Sequence, residues 1–268
     1  MRYLIIIALF TGFALSSCQK VIEVKLEEAE KKYVIEGILT DHAGQCEVTI
    51  TQTRNFGEDN NFSPISGASV SITDNSSGIT SYLGEQPGGL YKHATLAGVT
   101  GRTYTLQVSI NGKVFTASST VPPLVNLDSI FVSDDTWFDG TTMKMTNIQY
   151  DDPAGVANQY KFSRYLNGVK TKGVFIYNDD LVDGRYTTTK LFIDGNDREE
   201  DEIKSGASMR IDMMCVDPAV YKYWFSMEQS ALGENQSAAP ANPVTNIKGG
   251  ALGYFSAHTF QTKTILVP

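Results

Sequence analysis

The feature that most constrains the fold is a succession of short runs rich in Val, Ile, Thr and Tyr, each bounded by turn residues. In the first half of the chain these runs occupy 33–40, 46–54, 68–73, 104–110 and 114–120, with another around Tyr82. Asn111-Gly112 separates the last two, and Asn-Gly is the preferred pair for a type I′ hairpin turn. Several short strands at this spacing predict a β-sandwich over residues 33–121.

The second half of the chain repeats the pattern. Predicted strands lie at 128–133, 143–150, 159–166, 172–177, 186–193, 208–215 and 255–267, and Asn167-Gly168 is a second hairpin signal. Val121-Pro122-Pro123 precedes them, and two adjacent prolines are excluded from a central strand. We therefore predict a mainly β protein with two β-sandwich-like (Ig/transthyretin-like) domains, 33–121 and 124–268, and one short helix in the second.

The predicted helix lies near 218–232. Asp217 is suited to the N-cap, Pro218 to the first helical position and Gly233 to the C-terminal stop. Four of its residues are aromatic and clustered: Tyr221, Tyr223, Trp224 and Phe225. The preferred interpretation is that this cluster packs the helix on a sheet, and the alternative is that it lines a ligand groove.

The N-terminus has the composition of a secretory leader. Arg2 precedes an apolar run over 4–14, which is shorter than the roughly 20 residues of a membrane-spanning helix. Leu15-Ser16-Ser17-Cys18 then has the form of a lipobox. We predict a signal peptide over 1–17, lipid attachment (including palmitate) at Cys18 and a lipidated tether over 18–32, so that membrane lipid is a partner. The alternative is an ordinary secretory signal with a chance cysteine.

The net charge bears on the possible partners, and the other two cysteines bear on disulfide bonding. A formal net charge of −8 argues against nucleic acid as a partner. Cys46 and Cys215 fall in separate strand-like runs, which favours two buried free thiols, although an oxidising compartment also permits a Cys46–Cys215 disulfide.

No catalytic or metal-binding motif is present in the sequence. The three histidines are far apart, and the chain lacks the zincin, nucleophile-elbow and P-loop patterns. The acidic run 194–202 begins like a calcium loop, but Arg198 and Glu199 replace a ligand and the required glycine, so a solvated loop is preferred. Turns are the preferred interpretation for the acids at 151–153 and 178–184. We expect no catalytic residue, no metal site and no cofactor, and the ligand-binding residues stay unknown.

Several sequence segments resemble those of known proteins. Similarity to transthyretin-like and carboxypeptidase-regulatory-like sandwiches is found in Ile65 to Ile72 and in the repeated Gly-to-Tyr segments at 89–91 and 101–108. The lipobox, Tyr33 to Gly37, the aromatic helix, and Asn246-Ile247 running into 249–255 resemble the Bacteroidota lipoproteins of the domain-of-unknown-function 4249 family (DUF4249).

The resemblance implies an outer-membrane lipoprotein encoded beside TonB-dependent transporters, with no established catalytic residues. We therefore expect a non-enzymatic accessory or ligand-binding partner of such a transporter, anchored in the outer membrane. The cell surface is the preferred location, and the periplasmic face is the alternative. Two alternatives stay open: a structural or adhesive cell-envelope protein, and a carboxylate-dependent hydrolase.

Overall fold

The computed structural model describes residues 30–55, 58, 61–136, 140–192, 202–231 and 241–268. The predicted leader, Cys18 and residues 18–29 of the predicted tether lie outside these ranges. Lys31–Arg54 and Asn60–Pro268 form one compact unit. A second unit, Met1–Glu30 with Asn55–Asp59, has three described residues, among which the Glu58 amide donates to the Asn55 carbonyl at 3.0 Å.

The described chain is mainly β, as the sequence predicts. Its strands are β1 (Tyr33–Thr40), β2 (Cys46–Gln52), β3 (Ser63–Pro64), β4 (Ser69–Asp74), β5 (Thr80–Tyr82), β6 (Gly84–Gln86), β7 (Leu90–His93), β8 (Thr103–Ile110), β9 (Lys113–Thr120), β10 (Ser129–Thr136), β11 (Thr142–Asp151), β12 (Gln159–Leu166), β13 (Val169–Lys170), β14 (Phe175–Asn178), β15 (Tyr186–Leu191), β16 (Ser208–Cys215) and β17 (Leu252–Leu266). The helix among the described residues is α1 (Pro218–Ala231).

These strands form one long sheet and two small ones. The long sheet has the order β13-β12-β16-β17-β1-β2-β7-β6, with β14 also paired to β12 and β3 to β2. The small sheets have the orders β5-β4-β8-β9 and β10-β11-β15. Among the described strand pairs only β1 and β17 run parallel.

Each small sheet encloses a core against part of the long sheet. The first core joins Ile35, Val48 and Phe255 of the long sheet to residues such as Leu106 and Phe115 of the four-stranded sheet. All five side chains are at most 3% exposed, so apolar burial is the main stabilising term here.

The second core lies between the other half of the long sheet and the three-stranded sheet. It joins Phe162 and Ile211 to Ile130, Ile148 and Leu191. The described unit therefore contains two sandwich-like arrangements, and the long sheet forms one layer of each.

Strand β17 belongs to both halves. Its N-terminal part pairs with β1, from Val34↔Leu252 to Thr40↔His258, and supplies Phe255 and Ala257 to the first core. Its C-terminal part pairs with β16 from Cys215↔Thr259 to Ser208↔Leu266. The predicted boundary at 122–123 falls where the chain passes from one core to the other, and the predicted second domain, 124–268, contains the whole of this shared strand.

Helix α1 begins as the sequence predicts. The Asp217 carboxylate accepts hydrogen bonds from the amides of Ala219 and Val220, both at 2.9 Å, which satisfies donors that the first helical turn leaves free. Its other oxygen accepts from the Thr120 amide at 3.1 Å and from the Ser119 hydroxyl of β9. One buried carboxylate thus fixes the helix to the first half of the chain.

The hairpin turns also agree with the sequence. Asn111 and Asn167 have φ of 48° and 50°, and the glycine after each also has positive φ, as a type I′ turn requires. The short strands β3, β6, β7 and β13 were not predicted, because two to four residues carry too little periodicity to be recognised.

Candidate functional site

The candidate site lies on the face of the long sheet that points away from both cores. Successive side chains of a strand point to opposite faces, so Phe255 and Ala257 enter the first core while Tyr254, Ser256 and His258 lie on the other face. We call this other face the open face. Glu36, Ile38 and Thr40 occupy it on β1, Asp212 and Met214 on β16, and Lys161, Ser163 and Tyr165 on β12.

A cavity of about 510 Å³ lies over the open face, a volume within the range of small-molecule sites. Helix α1 covers one side and contributes Trp224 to its wall. The helix is held there by a small apolar cluster that includes Ile176, Met214 and Val220. Besides His258, charged residues of both signs line the cavity: Glu36, Glu47, Lys92, Lys161, Lys170 and Asp212.

Lys161 is the most unusual of these residues, because its side chain is only 9% exposed. Its Nζ lies 4.4 Å from the centroid of the Trp224 ring and 3.4 Å from the Ser163 hydroxyl. Among the described residues no carboxylate oxygen lies within 4.0 Å of this amine. Burial, reinforced by the nearby positive charge of Lys170 and opposed by Asp212, lowers the pKa of Lys161 to about 7.

Two further charged groups at the cavity, Glu36 and Lys170, have no ion-pair partner among the residues that the structure describes. Glu36 lies on β1, where surrounding protein raises the pKa of its carboxyl group and the positive charge of Lys170 partly offsets that rise. Lys170 is solvent-exposed on β13, at the edge of the long sheet, and it repels the charged form of Lys161. The cavity therefore has two amines on the β12–β13 side and a carboxyl group on the β1 side.

The other carboxylates at the cavity are already ion-paired. Asp212 is 3.1 Å from Arg210 Nε and accepts a hydrogen bond from the Thr262 hydroxyl at 2.8 Å. Glu47 is 3.0 Å from Lys92 Nζ. Both carboxylates therefore already have a cationic partner within the protein.

Ser256 and His258 form the nearest arrangement to a catalytic pair. The Ser256 hydroxyl lies 2.8 Å from His258 Nδ1, and both side chains are buried. Burial, together with the positive charge of Lys161, lowers the pKa of His258 to about 3. An imidazole with so low a pKa is a weak base at neutral pH, so it cannot efficiently take the proton of a nucleophilic serine.

Aromatic rings form one wall of the cavity. The Tyr254 ring centroid lies 5.2 Å from Trp224 and 4.8 Å from Tyr223. Burial raises the pKa of Tyr223 to about 12 and raises that of Tyr254 as well, so both phenols stay neutral. The predicted aromatic cluster of the helix thus packs on the sheet through Tyr223 and lines the cavity through Trp224.

Comparison with known proteins gives one decisive result. Residues 19–264 match the sequence model of the family described as Domain of unknown function (DUF4249). The chain belongs to this family. No curated protein matches it.

The loop that carries the family-like sequence of this DUF4249 member packs on β9 and the first core, through the Thr116–Lys248 bridge and Ile247. The Asn246 side chain donates to the Phe255 carbonyl at 2.8 Å and accepts from the Phe255 amide at 2.9 Å. It acts as an additional strand partner and fixes where β17 begins. This explains why Tyr254 and Phe255 return to the sheet, as the sequence predicts.

Among the remaining predicted site residues, those that the structure describes do not line the cavity. Cys18 and residues 194–201 of the acidic run lie outside the described residues, and Glu202 pairs with Lys204 at 3.3 Å. Cys46 and Cys215 are free and buried, one in each core, as the preferred interpretation predicts.

Three acids that the sequence assigned to separate turns lie together. Asp152, Asp179 and Asp183 each offer an oxygen within 4.8 Å of the others. Asp179 accepts from the Asn158 amide at 2.7 Å, and Asp183 from the Gly155 amide at 2.7 Å. The carboxylates thus hold neighbouring turns together.

Sequence reasoning missed Lys161, Glu36 and Lys170. Lys161 lies between Tyr160 and Phe162 in the predicted strand 159–166, and that alternation equally fits a strand with one face in solvent.

In the described part of the chain, no helix combines the length and apolar character needed to cross a bilayer.

Proposed function

We propose that this DUF4249 protein is a non-enzymatic, lipid-anchored protein of the outer membrane that binds a small ligand for a TonB-dependent transporter. The observation that carries the ligand-binding part is the cavity of about 510 Å³ on the open face. Its walls combine apolar rings with a few converging charges, the composition typical of small-molecule sites.

Binding is favoured over catalysis by the chemistry of the cavity. Asp212 and Glu47 are engaged in ion pairs, and His258 has a pKa of about 3. A hydrolase needs a base whose pKa lies near the working pH or a pair of carboxylates with different protonation states. Lys161 is the described cavity residue whose pKa lies near neutrality, and its amine is 3.4 Å from the Ser163 hydroxyl, beyond the roughly 2.6–3.2 Å reach of a general base.

The anchor and the transporter rest on the sequence. The apolar run ending at Cys18 supports lipid attachment, and two or three acyl chains at one cysteine would hold the protein stably in a membrane. The family resemblance supports the transporter as the partner. In this proposal the cavity presents a ligand close to the transporter mouth.

The anchor is tested by metabolic labelling with an alkyne analogue of palmitate. Wild-type protein should carry the label and sediment with outer membranes, whereas Cys18→Ala should do neither. Cys46→Ala serves as the matched control, because this buried thiol is remote from lipid chemistry and its variant should label normally. Labelling of Cys18→Ala would contradict the assignment.

The transporter is tested by purifying the tagged protein from gently solubilised outer membranes, followed by mass spectrometry. A TonB-dependent transporter in stoichiometric amount is expected. A preparation without any transporter would refute the accessory role and favour the structural or adhesive alternative.

A further inference from the structure

We propose that the cavity on the open face binds a small monocarboxylate, with the carboxylate held by Lys161 and the adjoining Lys170 and the rest of the ligand against Trp224 and Tyr254. This inference rests on the proposed ligand-binding function and adds the chemical class of the ligand.

The first argument is the incomplete set of partners of Lys161. An ammonium group has three donors, and the described contacts of Nζ are the Ser163 hydroxyl at 3.4 Å and the Trp224 ring. Burying a cation is costly unless it is paired with an anion. The carboxylate whose charge acts on it, Asp212, is already bound by Arg210 and Thr262. An anionic ligand in the cavity would supply the missing acceptor.

The second argument is the balance of charge around the cavity. Three acids and three lysines line it, so the formal charges cancel. A ligand carrying one negative charge can approach the two amines of the β12–β13 side without strong repulsion from Glu36 on the opposite side. A dianion such as a phosphate monoester has a larger desolvation cost, which the two amines offset only in part, so a carboxylate is favoured.

The third argument is the shape of the wall beside the amine. Trp224 and Tyr254 meet nearly edge to face, with their ring centroids 5.2 Å apart. The Trp224 ring contacts the same amine that would hold the carboxylate. A flat apolar group attached to the carboxylate would pack against these rings, so a planar carboxylate such as benzoate is a suitable probe.

Binding should be coupled to the protonation of Lys161. The amine is largely neutral above pH 7 in the free protein, and a bound carboxylate favours its charged form. The affinity should therefore be constant at mildly acidic pH and fall about tenfold per pH unit above neutrality. Helix α1 contributes only the non-ionisable Trp224 to the cavity. The other ionisable groups that line it are Glu36, Glu47, Lys92, Tyr165, Lys170, Asp212, Tyr254 and His258.

The test is a titration of the full chain in mild detergent with benzoate, benzamide and phenyl phosphate. The chain has two tryptophans, so a Trp137→Phe background leaves Trp224 as the single indole reporter, with calorimetry as the second readout. Benzoate should bind and quench Trp224, benzamide should not, and phenyl phosphate should bind more weakly than benzoate.

Two lysine variants make the test specific. Lys161→Met keeps the length of the side chain and should weaken benzoate binding by about tenfold or more. Lys113→Met, at an exposed lysine outside the cavity, should bind as wild type does. Lys170→Met should weaken binding less, because this amine is exposed. It also keeps the proposal testable if Lys161→Met does not fold.

The proposal is overturned if benzamide binds as tightly as benzoate, if Lys161→Met binds benzoate as wild type does, or if benzoate does not bind at all. Tighter binding of phenyl phosphate would also overturn the choice of a monocarboxylate. None of these outcomes affects the copurification of a transporter, so failure of the ligand class and failure of the accessory role can be told apart.

Discussion

Gly253→Ala should strongly destabilise the protein, because Gly253 lies where the two halves of the long sheet join. It pairs with Ile35 across the parallel β1–β17 ladder and has φ of +96°. A Cβ at this position would lie 2.0 Å from the Ile35 carbonyl oxygen and 2.8 Å from its carbonyl carbon. Real Cβ contacts essentially never fall under 3.0 Å, so β1 and β17 would have to separate by about 1 Å.

The expected cost has two parts. Holding alanine at positive φ costs about 1–2 kcal/mol. Separating the strands weakens about two ladder hydrogen bonds, at about 1 kcal/mol each. The free energy of unfolding should therefore fall by about 3–4 kcal/mol.

Gly250→Ala is the matched control. Gly250 has φ of +90°, but a Cβ there meets nothing within 4 Å, so only the conformational cost of about 1–2 kcal/mol applies. The two variants are compared by urea denaturation followed by circular dichroism. The reasoning is refuted if Gly253→Ala loses no more stability than Gly250→Ala.

Three further predictions concern buried polar groups. Asp217→Ala should lower the free energy of unfolding, measured by urea denaturation, by about 2–4 kcal/mol. The substitution removes the helix cap and leaves the buried Ser119 hydroxyl without its acceptor. A loss of stability as small as that of an exposed residue would contradict this. The pKa of His258 falls from 6.5 to about 3 on folding, so the unfolded state binds the extra proton and stability should decline as pH falls from about 6.5 to about 3. His258→Asn should lack that part of the decline in pH-dependent melting, and an unchanged profile would argue against a buried neutral imidazole. Burial raises the pKa of the Cys46 thiol to about 12 and that of Cys215 too, so neither should react with Ellman's reagent until the protein unfolds. Rapid reaction of the native protein would show that the thiols are accessible.

Local sequence signals predicted much of the fold. The strands at Gln159–Leu166 and Ser208–Cys215 have the predicted limits, because long alternating runs bounded by turn residues are unambiguous. The start of α1 was predicted for a similar reason, since Asp217 and Pro218 are both suited to a helix N-terminus.

Contacts between distant residues could not be predicted in this way. The Phe260 amide donates a hydrogen bond to the Asp41 carboxylate, 219 residues away in sequence. No local sequence pattern predicts the pairing of β17 with β1. The same limit applies to the site. Lys161 becomes buried because α1 folds over β12, and a single strand cannot reveal which of its faces a later helix will cover.

The shared strand β17 also has a consequence for the order in which the protein folds. During synthesis β1 emerges long before β17 and β16 shortly before it, and each leaves a sheet edge unpaired until the last strand has been made. Such high contact order slows folding and exposes edges that can pair wrongly. Neither sandwich can finish alone, so a nascent chain should depend on a holding chaperone until β17 arrives.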